Sequence, residues 1–112
     1  MNPGGAQAED LALAFLLQQG LELKARNYAC RLGEIDLVLL EGRTLVFVEV
    51  RMRRSRAFGG AAESLTARKR GRLLAAARHY LAQQRVTPAC RFDAVLIEAD
   101  GPPVWIKDAF GE

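Results

Sequence analysis

The chain has 112 residues, half of them apolar and 26% charged, which suits one folded domain over residues 1–112 and is too short for two. Its longest unbroken apolar run, Leu11–Leu17, is too short to cross a bilayer, and Met1-Asn2-Pro3-Gly4-Gly5-Ala6-Gln7 has no basic segment leading into an apolar one. A soluble cytoplasmic protein with no membrane partner is expected, and two cysteines without CxxC spacing plus a single histidine exclude a disulfide scaffold and a finger-type zinc site.

Ala6–Gln19 reads as a helix, with Ala8, Leu11, Ala12, Phe15 and Leu16 at helical spacing and Gly20 at the C′ position. Leu21–Tyr28 alternates as a strand. Gly33–Leu40 and Thr44–Arg51 are stronger strands, rich in Val, Ile and Leu, and Glu41-Gly42-Arg43 turns one into the other as a hairpin. Met52–Ala62 reads as a loop with Phe58-Gly59-Gly60 near its end. Thr66 is a candidate cap for a second helix running to about Gln84, with Leu73, Ala76, Ala77, Tyr80 and Leu81 inward. Arg91–Ala99 is a further strand, Asp100-Gly101-Pro102-Pro103 a turn, and Val104–Lys107 a short last strand. The order αβββαββ predicts an α/β fold, a mixed β-sheet flanked by helices.

The net charge of +3 is unevenly spread. Arg51, Arg53, Arg54, Arg56, Arg68, Lys69, Arg70, Arg72 and Arg78 fall in one stretch whose only acid is Glu63. Such a patch is either a footprint for a polyanion or a solvated basic surface. Arg68, Lys69 and Arg70 crowd the first turn of the second helix, where the macrodipole disfavours cations. A phosphate would relieve that repulsion and the unpaired N–H groups; alternatively, the side chains reach into water.

Acids mark the second and third strands. Asp36 lies in Gly33-Glu34-Ile35-Asp36-Leu37-Val38, where Ile35 and Leu37 face the core, and Glu49 lies in Val46-Phe47-Val48-Glu49-Val50-Arg51. A two-residue loop sets Glu34 opposite Glu49, and a four-residue loop sets Asp36 there. In both registers Asp36, Glu49 and Arg51 share one sheet face. Paired carboxylates repel, and a hard divalent ion, Mg²⁺ or Mn²⁺, removes the conflict. A salt-bridge ladder, with Glu49 on Arg51 or Arg43, is the alternative. Glu9 favours the former: it sits among Ala12, Leu13, Leu16 and Leu17 on the helical wheel, where a carboxylate is costly unless paired. Asp93 reads as a partner for Arg91, and Trp105 and Phe110 as core. His79 reads as exposed and open to a phosphate contact.

Asp36, twelve residues, then Glu49-Val50-Arg51 resembles the PD-(D/E)xK nuclease signature, and an acid on the preceding helix, here Glu9, is similar to archaeal Holliday junction resolvases. The chain as a whole resembles the YraN family of bacterial proteins. Ala8-Glu9-Asp10-Leu11-Ala12, Arg26-Asn27-Tyr28, the two strand segments just quoted, Phe58-Gly59-Gly60-Ala61-Ala62-Glu63-Ser64, Arg91-Phe92-Asp93 and Trp105-Ile106-Lys107-Asp108-Ala109-Phe110 carry that match.

The resemblance implies a restriction-endonuclease-like fold and an Mg²⁺-dependent (or Mn²⁺-dependent) endonuclease acting on branched or duplex DNA. By that reading Asp36, Glu49 and the Val50 carbonyl hold the metal, and Glu9 completes the acidic site. Arg26 approaches phosphate, and Arg53, Arg54, Arg56, Arg68, Lys69, Arg70 and Arg72 grip the backbone. A homodimer is compatible with two cuts. The pattern ordinarily ends in lysine, and Arg51 stands here. Arginine does not give up its proton, so its catalytic part is charge stabilisation. The swap also motivates one alternative, a catalytically inactive DNA-binding module of nuclease descent, and the basic stretch, read as serving an acidic partner, motivates another, a protein-interaction subunit.

Overall fold

The computed structural model describes residues 5–53 and 66–110. Helix α1 (Gly5–Gln18) buries Ala8, Ala12 and Leu16, one residue per turn on one stripe. Gly20, at φ +95°, ends it in the left-handed conformation expected of a C′ glycine. Gly20 N–H donates to Leu17 and Leu21 N–H to Leu16, and Leu21 drops into the same apolar layer as Leu16.

Strands β1 (Glu22–Cys30), β2 (Gly33–Glu41) and β3 (Thr44–Arg53) form an antiparallel meander. Helix α2 (Ala67–Leu81) then carries the chain across, so β4 (Cys90–Glu98) lies parallel to β3, and β5 (Val104–Ile106) closes the edge antiparallel. The sheet order is β1-β2-β3-β4-β5. This is the predicted mixed sheet in the predicted order. Met52 and Arg53 extend β3 rather than entering a loop, because they pair with Ile97 and Glu98. The helix α2 ends three residues before Gln84, at Leu81. Among the described residues no helix is long and apolar enough to cross a membrane.

The helices cover opposite faces. Ala8, Ala12 and Leu16 of α1 pack on Leu37, Leu39, Val46, Val48 and Val95. Leu73, Ala76 and Ala77 of α2 pack on Ile35, Val38, Phe47 and Phe92. Leu11, placed at helical spacing with the buried residues, is 49% exposed instead. Gly33 lets α2 approach: a Cβ there would overlap the backbone carbonyl of Arg72. Thr66 caps α2 as predicted, its hydroxyl accepting from Lys69 N–H at 3.2 Å.

One strand departs from simple alternation. Ile35 and Leu37, expected on one face, pack against opposite layers. The cause is local. Asn27 adopts φ +53° between the Arg26–Leu37 and Tyr28–Ile35 pairs, opposite Asp36, and this kink turns the β1–β2 ribbon over.

Candidate active site

The kink sets the geometry of the acids. The β2–β3 ladder runs from Glu41–Thr44 to Leu37–Val48. One further step puts Asp36 across from Glu49, the register drawn above for a four-residue loop. The strands in fact continue one pair further, so the turn itself is only Gly42-Arg43, with Gly42 at φ +61°. Past Leu37–Val48 the backbones part, and the Asp36 side chain fills the opening: its Oδ2 accepts from Val50 N–H at 2.8 Å.

Glu49 and Arg51 follow Phe47 by alternation onto the α2 side of the sheet. There they join Glu34 and Asp36 on one wall of a cleft of about 410 Å³, and the other wall is the start of α2, with Thr66, Arg68, Lys69 and Arg72. Among the described residues, the cleft therefore sets three carboxylates and Arg51 against three further cations and a helix N-terminus. That terminus adds partial positive charge, with no acid in its first turn to offset it.

The acids are poorly matched to each other. Arg51 Nη2 lies 3.2 Å from Glu49 Oε1, and the two side chains keep 19% and 18% of their surface. Among the described residues, Arg51 Nε is buried with no hydrogen-bond partner. Burial, followed by repulsion from Asp36, pushes Glu49 up to about 7, with Arg51 only partly opposing it; a hydrogen bond with Asp36 and the charge of Glu34 act in the same upward direction. Asp36 is likewise raised, first by burial, although the Val50 N–H holds it down in part. Part of the rise at Glu49 is the repulsion that two carboxylates on adjacent strands create.

Glu9 and Arg26 lie to the side of this cleft. The Glu9 side chain is 18% exposed, so it does turn inward, but its Oε1 accepts from Arg26 Nε at 3.4 Å. Arg26 also reaches Asp10 at 2.7 Å and the Ala6 carbonyl at 3.3 Å. Glu9 still raises Asp36 through its charge. Among the described residues no three His, Cys, Asp or Glu side chains gather closely enough to hold a metal by themselves. Any cation here would rest on the Asp36–Glu49 pair with backbone or solvent oxygens.

Of the other basic residues, Arg70 lies exposed on α2 outside the lining, and Arg53 is the last residue of β3. Arg54, Arg56 and the Phe58-Gly59-Gly60 segment lie outside the described residues. Asp93 takes the partner expected of it, with Arg91 Nε and Nη2 donating at 2.8 and 2.9 Å. Phe110 is buried, and Trp105 packs edge-on against Phe15. His79 is exposed but engaged with the Tyr28 hydroxyl and Gln83. Cys30 and Cys90 are half-buried against the α2 layer.

Among the described residues, Glu34 and Thr66 also line the cleft. Glu34 carried a signal, since it stands two residues before Asp36 on an alternating strand. Thr66 was legible as a cap but not as part of a cleft.

The profile described as "Uncharacterised protein family UPF0102" matches residues 8–97. The UPF0102 protein NE0719 of Nitrosomonas europaea is 56% identical over 110 residues, covering 96% of this chain and 93% of that protein. The UPF0102 protein RALTA_A3032 of Cupriavidus taiwanensis is 57% identical over 107 residues, covering 95% of this chain and 81% of the relative. PSPA7_4996 of Pseudomonas paraeruginosa is 52% identical over 113 residues, with 95% and 90% covered.

Proposed function

This chain belongs to the UPF0102 (YraN) family, and we propose that its cleft is the site of a divalent-metal-dependent endonuclease acting on branched or duplex DNA. The observation that carries the reading is the facing of the Asp36–Glu49 pair toward Arg68, Lys69 and Arg72 across one cleft. A phosphodiester needs both walls: cations for its oxygens and a metal for the bond to be cut.

The residues present fit Mg²⁺ or Mn²⁺. The donors are oxygens, the pair is raised by burial and by mutual repulsion that Arg51 only partly opposes, and Arg51 meets Glu49 through one contact. Asp36 and Glu49 would hold the ion. The Val50 carbonyl would join them, since N–H and C=O of one strand residue point to the same edge and Val50 N–H points at Asp36. When bound, the metal supplies Lewis-acid polarisation of the phosphate and a more acidic water. Arg51 stays protonated throughout, so it stabilises charge and abstracts no proton. Arg68, Lys69, Arg72 and the α2 N-terminus orient the strand by its phosphates. Glu9 acts as a positioning residue, through its charge on Asp36 and its hold on Arg26. Arg26 meets phosphate only by giving up Asp10 and Glu9.

The test is cleavage of junction, flap and plain duplex DNA in Mg²⁺ and in Mn²⁺. The native chain cuts at least one of them, and Asp36→Asn or Glu49→Gln lowers the rate 100-fold or more. No cleavage above that of a variant carrying both Asp36→Asn and Glu49→Gln would falsify the reading. A second reading, a DNA-binding module without turnover, is favoured by Arg51 in the lysine position. It predicts binding that weakens with salt and is indifferent to EDTA. Failure to bind any nucleic acid at low salt points instead to a protein-interaction subunit.

A further inference from the structure

We propose that the Arg51 guanidinium is an internal stand-in for the divalent cation: it rests on Glu49 while no cation is bound and swings to the phosphate wall of the cleft when one arrives. This rests on the reading of Asp36 and Glu49 as a cation-binding pair.

The form of the contact carries the inference. Arginine can grip a carboxylate with a fork of two parallel N–H groups, and Arg91 does so on Asp93 through Nε and Nη2 at 2.8 and 2.9 Å. Arg51 offers Glu49 one prong, Nη2, at 3.2 Å. Its Nε lies buried with no acceptor among the described residues. A buried guanidinium N–H without an acceptor is costly, and its presence beside a loose ion pair marks one of two arrangements, not a locked one.

A cation at the carboxylates forces the change. It competes for the Glu49 oxygen that Arg51 now uses, and its charge repels the guanidinium across a half-buried space where screening is weak. The cleft gives Arg51 a defined alternative. Arg68, Lys69 and Arg72 face it, with no acid in the first turn of α2. The cation releases Arg51 from Glu49, and a phosphate that then enters supplies the acceptor that Nε lacks. The order of binding follows: cation first, then phosphate.

The test follows the Arg51 Nε–H signal by ¹⁵N NMR in the full native chain, with Arg51→Lys identifying the signal by its loss. Mg²⁺ alone is titrated, and the carboxyl carbons of Asp36 and Glu49 are read in the same samples. The expected result is a saturable shift of the Nε signal with the same midpoint as the Glu49 carboxyl. Carboxyl signals that saturate while the Nε signal stays still overturn the exchange and leave the metal site standing. If no signal of either kind saturates, the exchange and the metal site fall together.

Discussion

Asp93 is completely buried whereas Glu49 keeps 18% of its side chain exposed, yet the deeper acid is the better served. Asp93 accepts from Arg91 Nε and Nη2, from Trp105 Nε1 and from Asp108 N–H, all at 2.8–2.9 Å. Arg91 reaches on to Glu41 at 2.9 Å, and Lys107 stacks over Trp105 at 4.4 Å. That network ties the C-terminal segment to the sheet. Among the described residues, the cleft acids have one backbone N–H, one loose arginine prong and each other. Burial alone does not mark a functional acid. What separates the two clusters is whether the donors around the carboxylate are enough for its charge.

Removing the saturated cluster has the largest effect. Asp93→Ala takes from Arg91 its two-pronged partner, leaving it Glu41, and strands the Trp105 N–H; the expected loss is about 3–5 kcal/mol in urea denaturation. A loss below about 1 kcal/mol would place both clusters in the same class.

The cleft responds with the opposite sign. Glu49 sits at about 7 in the folded protein against an ordinary value of 4.5, so the folded state holds its proton more tightly than the unfolded state. Its contribution to stability is fully present below about 4.5 and is lost as pH rises through about 7. In metal-free buffer at pH 8, Glu49→Gln is therefore more stable than the native chain by about 2–3 kcal/mol, and the difference vanishes near pH 4. The amide oxygen still accepts from Arg51, so packing is kept. A variant less stable than native at pH 8 would make the cleft a structural ion cluster like that of Asp93. Mg²⁺ should narrow the gap by stabilising the native chain alone.

The smallest effect sharpens the contrast. Trp105→Phe keeps the ring against Phe15 and removes one of the four donors to Asp93, for an expected loss of about 1 kcal/mol in the same denaturation experiment.

Much of this was legible in the residues. Alternation along Phe47-Val48-Glu49-Val50-Arg51 already sends Glu49 and Arg51 to one face, and the two-residue spacing of Arg91 and Asp93 already pairs them. Thr66 and Gly20 announce their caps by local chemistry. The fate of Arg26 was not legible, because a basic residue on an edge strand does not reveal that the first turns of α1 will hold it. The turnover of faces at Asp36 was hidden for a similar reason: it depends on Asn27, a residue on the neighbouring strand.

Element order, hairpin, caps and the parity of each regular strand follow from the chain alone, since they rest on contacts a few residues apart with fixed periods of two and 3.6. Tertiary structure alone decided that the start of α2 faces the acids, that Asp36 takes the Val50 N–H, and that the donors gather on Asp93 and leave Glu49 underserved. Those outcomes depend on how helices dock and where a sheet kinks, and contacts between distant segments leave no period in the sequence to read.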